Sequence, residues 1–279
     1  MRLSGLAHRL RAAVALRRAD PEKPVAWLDP GEAELVPPRR LWIGPGDSIH
    51  HYYRWVWEYL SYLVLLCDLR RDAWVLELGC GHGRTARGLL EYLRSPGQYR
   101  GLDVGAERLA DARTRIQARY PNFQFVQADV FNAHYNPQGR VRAAEFVFPF
   151  PDGAFDVAYA ASLFTHLLPE EAGRYLGESA RVLKPGGRCL FSFFLLDHYR
   201  GRGTSVSPLY EPEHALPGHA GVRVRDLQSP DALVAYGREA VERMAGAAGL
   251  RVVKVWPGLW SEPPGAALNE QDLVLFERA

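Results

Sequence analysis

The chain has 279 residues, 47% of them apolar and 24% charged, with a formal net charge of +2. That length suits one α/β unit of about 250 residues with an appended segment, the near-zero charge supplies no basic field to gather nucleic acid, and no apolar run approaches the ~18 residues that span a bilayer. Cys67, Cys80 and Cys189 stand apart without metal or disulfide spacing, so a soluble protein of the reducing cytoplasm is expected.

Leu3, Leu6, Leu10 and Val14 recur at helical spacing among Arg2, Arg9, Arg11, Arg17 and Arg18, which makes the first twenty residues a basic amphipathic helix. It reads as a helix docked on the domain or on a partner, a second copy included, with a targeting segment or a membrane-surface helix as alternatives. Proline and glycine mark an extended lead-in to residue 46, so residues 1–46 precede a domain over 47–279. An aromatic helix with Tyr52, Tyr53, Trp55, Trp57, Tyr59 and Tyr62 opens that domain. Strands are expected at 73–79, 99–104, 123–128, 155–161, 188–195 and 250–256, and Asp272 to Glu277 closes the chain as a strand. A helix with Ala86, Leu89, Leu90 and Leu93 follows the first strand, and further helices are expected at 105–119, 169–183 and 231–248. Strands alternating with helices imply a doubly wound, mostly parallel, Rossmann-like sheet with helices on both faces and right-handed crossovers. Two stretches, 129–154 and 196–230, interrupt the alternation. Insertions at the carboxyl edge of such a sheet are where ligands bind, so these stretches and residues 42–60 should wall a pocket.

The most informative segment is Glu77-Leu78-Gly79-Cys80-Gly81-His82-Gly83, entered from Trp74-Val75-Leu76 and followed by Gly101-Leu102-Asp103-Val104. A buried strand running into a glycine turn that opens a helix brings backbone close to a ligand and offers free N–H groups. A dinucleotide fingerprint needs a third glycine for close helix packing, and here that position is Arg84. Glu77 would also repel a pyrophosphate but suits an ammonium or sulfonium. A nucleotide-dependent oxidoreductase is therefore the weaker reading.

With these motifs the chain resembles the class I S-adenosylmethionine-dependent methyltransferases. The resemblance continues in Gln127-Ala128-Asp129-Val130-Phe131, in Phe155-Asp156-Val157-Ala158-Tyr159-Ala160-Ala161-Ser162 and in Val182-Leu183-Lys184-Pro185-Gly186-Gly187, and covers roughly residues 73–196. It implies a seven-stranded sheet with an antiparallel last strand, and S-adenosylmethionine as cofactor with S-adenosylhomocysteine as product. Glu77, Gly79, Cys80 and Gly81 would lie along the methionine part, Asp103 would take both ribose hydroxyls, and Val104 would lie against the adenine. Asp129 would receive the adenine amino group or else cap a turn, with Ala128, Val130 or Phe131 covering the ring and Ser162 closing the site.

Methyl transfer to an alcohol or phenol also needs a base, and an imidazole titrates near pH ~6.5. His166 follows the fourth strand, which such a fold places beside the methyl group, and is the expected base; the alternative is a cap or a cofactor contact. His50 and Tyr53 would enter the acceptor pocket from the aromatic helix or face solvent. His198, beside Asp197, would form an acid/base pair or a turn cap. His134 sits in turn chemistry. No His, Cys or carboxylate spacing suggests a metal. Ala160-Ala161-Ser162-Leu163 stands where base-amino methylases carry Asn/Asp-Pro-Pro-aromatic, so nucleic acid is disfavoured as substrate. The expected reaction is O-methylation of a small molecule, a sugar hydroxyl first by resemblance to bacterial members with a similar Phe-Thr-His run. The alternatives are N- or C-methylation, RNA or protein as acceptor, and a cofactor-binding module without catalysis.

Overall fold

The computed structural model describes residues 30–42, 48–133, 135–263 and 265–279. The basic helix expected over the first twenty residues, most of the lead-in and His134 lie outside the described residues.

The aromatic helix, α1 (Ile49–Leu66), starts where the Ser48 side chain accepts a hydrogen bond from the His51 N–H at 3.1 Å, filling one of the donors a helix start leaves open. Ile49, Tyr52, Trp55, Val56, Tyr59, Tyr62 and Leu63 are buried, at the three- and four-residue spacing of a single stripe. Trp57 falls off that stripe and is exposed.

Seven strands form the main sheet in the order β3-β2-β1-β4-β5-β10-β9. They are β1 (Trp74–Leu78), β2 (Gln98–Asp103), β3 (Phe123–Gln127), β4 (Phe155–Ala160), β5 (Leu183–Phe193), β9 (Leu250–Trp256) and β10 (Asp272–Arg278). Strands β1 to β5 pair in parallel. Strand β10 runs antiparallel between β5 and β9, so the expected reversed last strand is present. Short helices α2 (Ala86–Leu90) and α3 (Ala106–Ala112) pack with α1 over one apolar cluster. Helices α4 (Pro169–Val182) and α5 (Arg238–Ala247) cover the other. The sheet is buried on both faces, as parallel pairing through helical crossovers requires.

Three boundaries differ from the sequence expectation. Strand β5 begins at Leu183 rather than 188, and its register with β4 jumps from Phe155↔Leu183 to Val157↔Arg188 because Pro185 has no N–H for the ladder. The helix expected to run to residue 119 widens into a π turn over Arg113–Gln117. The helix expected at 231–248 starts only at Arg238, because Val234–Tyr236 form strand β8. Together with β6 (His214–Ala215) and β7 (Val222–Val224), β8 makes a three-stranded antiparallel sheet. Hydrogen bonds from Tyr236 N–H to the Phe194 carbonyl (2.8 Å) and from Val234 N–H to the Thr165 carbonyl (2.8 Å) seat this insertion on the carboxyl edge of the main sheet.

Helix α2 lies against α1 through Gly88, where an added Cβ would stand 2.7 Å from the Val56 carbonyl oxygen and 3.2 Å from Leu60 Cβ. Gly88→Ala should therefore destabilise the fold by about 1–3 kcal/mol through forced separation of the two helices, read as a shift in urea midpoint. An unchanged midpoint would contradict this packing.

Candidate functional site

The glycine turn leaving β1 is laced to the end of β2. Gly79 and Cys80 N–H groups donate to the Leu102 carbonyl at 2.8 and 3.2 Å. One oxygen of Asp103 accepts the Gly81 N–H at 2.7 Å and the other accepts the Gly105 N–H at 2.7 Å. Gly83, at φ +78°, packs so closely that a Cβ there would meet Ile116 at 2.9 Å and Phe125 at 3.0 Å. The turn is thus fixed from the sheet side while its other side lines a cavity.

That cavity measures about 800 Å³ and runs along the carboxyl edge, near the upper end of the roughly 300–1,000 Å³ usual for a small-molecule site. Its lining includes Glu77, Gly79, Cys80, Gly81, Asp103 and Val104, as well as Ala128, Val130, Ser162 and His166. Asp129, His50, Tyr53 and His198 do not line it. The Asp129 carboxylate is held by Arg140, whose Nε donates at 2.6 Å and whose backbone N–H donates at 3.2 Å. This pairing holds the Asp129 carboxyl below its ordinary pKa. His50 is exposed on the first turn of α1.

Glu77 is buried, and its carboxylate is gripped by hydroxyls from three elements: Thr85 ahead of α2, Tyr99 on β2 (2.5 Å) and Tyr159 on β4 (2.7 Å). Burial pushes its carboxyl up from 4.5 to about 7, and the three hydroxyl donors pull the other way. His82 stacks on Tyr52 with centroids 5.9 Å apart, and burial with the nearby Arg84 charge pushes its imidazole down to about 3, so it is neutral. Arg84 lies over the Trp55 ring at 4.2 Å. His166 is exposed at the wall, and its Nδ1–H donates to the Asp231 carbonyl at 2.9 Å. In the neutral ring that bond places the proton on Nδ1 and the lone pair on Nε2.

Sequence reasoning expected residues 42–60 to help wall the pocket, and Trp55 does so. It missed the segment entering β10. Asn269, Gln271 and Asp272 are buried polar residues. Asp272 accepts from Leu195 N–H (2.7 Å), Gly258 N–H (2.8 Å) and Trp260 Nε1 (2.6 Å). Burial pushes its carboxyl up to about 6. Gln271 donates through Nε2 to Ser162 Oγ at 2.8 Å. The only sequence signal was a polar Asn-Glu-Gln-Asp run before an apolar strand.

Residues 75–187 match the family model of a methyltransferase domain. Over these residues the chain carries a methyltransferase domain. The domain is 36% identical over 115 residues to a demethylmenaquinone methyltransferase of Thermus thermophilus, covering 41% of this chain and 44% of that one. It is 35% identical over 118 residues to a fatty-acid O-methyltransferase of Mycolicibacterium smegmatis, covering 42% and 36%. The chain therefore spans less than half the length of these curated relatives. Among solved structures, a protein of Pyrococcus horikoshii superposes with a TM-score of 0.55 at 19% identity over 83% of this chain and 92% of that one. An S-adenosylmethionine-dependent methyltransferase of Methanosarcina mazei superposes with a TM-score of 0.52 at 18% identity over 78% and 97%. These likenesses establish the fold.

S-adenosylmethionine is the cofactor of this methyltransferase domain, and the residues present fit it. The two Asp103 oxygens each carry one N–H donor and retain capacity for further donors, since a carboxylate offers about four acceptor sites. Two ribose hydroxyls would match that capacity.

Glu77 supplies a test of the site's electrostatics. A carboxyl with a raised folded-state pKa contributes stability below its unfolded value, and loses it as pH rises through the folded value. The window here runs from 4.5 to about 7. Wild-type stability should fall across it by an amount on the order of 3 kcal/mol more than that of Glu77→Gln, measured by urea unfolding at both ends. Parallel profiles for the two proteins would show that Glu77 does not titrate there.

Proposed function

We propose that the chain is an S-adenosylmethionine-dependent methyltransferase acting on an oxygen of a small, largely apolar acceptor, with His166 as the base. The observation that carries this reading is a single cavity that joins the Asp103 end of the glycine turn to a wall of Trp55, Phe194, Leu209, Tyr210 and Leu233, with His166 between. The cofactor, when bound, supplies an electrophilic methyl whose bond to sulfur breaks as the acceptor oxygen bonds to it, the electron pair leaving with sulfur. The chain aligns the acceptor and excludes water, the main demands of such a displacement. Asp103 and the glycine turn orient one partner and the aromatic wall the other. His166 takes the acceptor's proton at Nε2, and the Asp231 carbonyl stabilises the resulting imidazolium through Nδ1–H.

The aromatic lining supports an apolar acceptor over the sugar hydroxyl that sequence resemblance put first. Relatives named for demethylmenaquinone and for a fatty acid support the same preference.

Asp103→Ala should weaken S-adenosylhomocysteine binding by about a hundredfold, the loss of two charge-assisted hydrogen bonds, in calorimetry. His166→Ala should keep that affinity and lower turnover by about 10²–10⁴, in transfer of labelled methyl. Equal loss of cofactor binding in both variants would remove His166 from the catalytic role, and wild-type binding without any turnover would favour a binding module.

A further inference from the structure

Gln271 stands nearly two hundred residues beyond the glycine turn, yet it lines the same cavity. It is carried there because β10 enters the sheet at the carboxyl edge, with Asp272 opposite Phe193. The residue is 8% exposed, and one N–H of its Nε2 donates to Ser162 Oγ at 2.8 Å. The amide is thereby oriented, and its Oε1 is buried without a hydrogen-bond partner among the described residues. A buried acceptor left unsatisfied is costly and needs an explanation.

Ser162 strengthens the case. It is a non-glycine residue at φ 60°, a conformation that persists only where the surroundings over-determine it and that gathers at functional sites. Its N–H is clamped by Ser192 Oγ on β5 at 2.7 Å, and its hydroxyl by Gln271. The two residues close the end of β4, beside the expected base. In the same lining, Trp55 is 7% exposed and its indole N–H is also buried and unpartnered among the described residues.

We infer that Gln271 binds the methyl acceptor through its amide oxygen, and that the acceptor arrives there as an uncharged hydrogen-bond donor, a hydroxyl or an amine on an apolar body, and not as a carboxylate. This assignment rests on the methyltransferase reading above. An amide oxygen accepts a hydrogen bond and repels an anion. The charges of the lining agree, since Glu77, Asp103, Glu171, Asp231 and Glu270 line the cavity with Arg84, Arg108 and Arg225, and Glu270 is paired with Arg54 at 2.7 Å. The wall thus holds no excess of positive charge for a carboxylate. The apolar side chains Phe131, Tyr135 and Leu209 line the cavity while remaining more than half exposed, which suits an apolar body extending to the rim.

The test is calorimetry on the full chain loaded with S-adenosylhomocysteine, at neutral pH, with naphthol and naphthoate as matched probes. Naphthol should bind and naphthoate should bind at least about tenfold more weakly, the value of one lost hydrogen bond to a buried group. Gln271→Leu and Gln271→Met should each lower naphthol affinity by about the same factor, with S-adenosylhomocysteine titration and circular dichroism checking the fold of each variant. Naphthoate binding as tightly as naphthol, no naphthol binding, or folded variants with wild-type naphthol affinity would each overturn the assignment. The wild-type preference decides the matter even where a variant fails to fold. Failure of S-adenosylhomocysteine itself to bind would instead remove the cofactor reading beneath it.

Discussion

Two backbone N–H groups from two neighbouring loops end on the one carboxylate of Asp103, and the rest of the site depends on that junction. Gly81 belongs to the turn leaving β1 and Gly105 to the turn leaving β2. Holding both fixes the distance between the glycine turn and the start of α3. Hydrogen bonds to a charged acceptor contribute about 1.5–3 kcal/mol each. They stand in for the ladder that ends at Leu78 and Leu102, so the turn keeps its shape where the regular pairing stops. The cavity begins on the far side of that fixed turn.

A second carboxylate, Glu77, sits beneath the same turn and does different work. Desolvation makes its charge costly, and the hydroxyls of Thr85, Tyr99 and Tyr159 reduce that cost while tying β1 to β2, to β4 and to the start of α2. A buried polar network of this kind specifies one arrangement, because any slip of the strands would leave a carboxylate without donors. Asp272 plays the corresponding part at the start of β10, drawing together residues 195, 258 and 260. Each of these buried acids is braced by donors from elements that no local rule brings together.

The reversed direction of β10 explains why the acceptor side is built as it is. In an all-parallel sheet the start of a strand lies at the amino edge, away from the ligand. Strand β10 instead starts at the carboxyl edge, opposite the end of β5. Glu270 and Gln271, which precede it, are delivered to the cavity, Gln271 beside Ser162. The small sheet β6-β8 closes over the same region, with Leu233, Phe194 and Trp260 forming its apolar contact.

The sequence by itself determined the parallel sheet, the glycine turn, the place of Asp103 at the end of β2 and the cofactor class. Those features depend on local periodicity and on residues within one strand–turn–helix unit, where spacing translates directly into geometry. It also placed His166 after β4 and assigned residues 42–60 to the wall. Tertiary structure alone decided the rest. Asp129 follows β3 at the position the resemblance uses, but its charge finds Arg140 after an intervening loop. Val234–Tyr236 read as helix by periodicity and became strand because β7 and Phe194 supplied partners. Gln271 carries no motif, and it meets Trp55 at one cavity only because an antiparallel strand and an amphipathic helix both start at the same sheet edge. Such contacts form between residues far apart in the chain, and their energies come from burial and hydrogen-bond completion in the packed state, which no local pattern encodes.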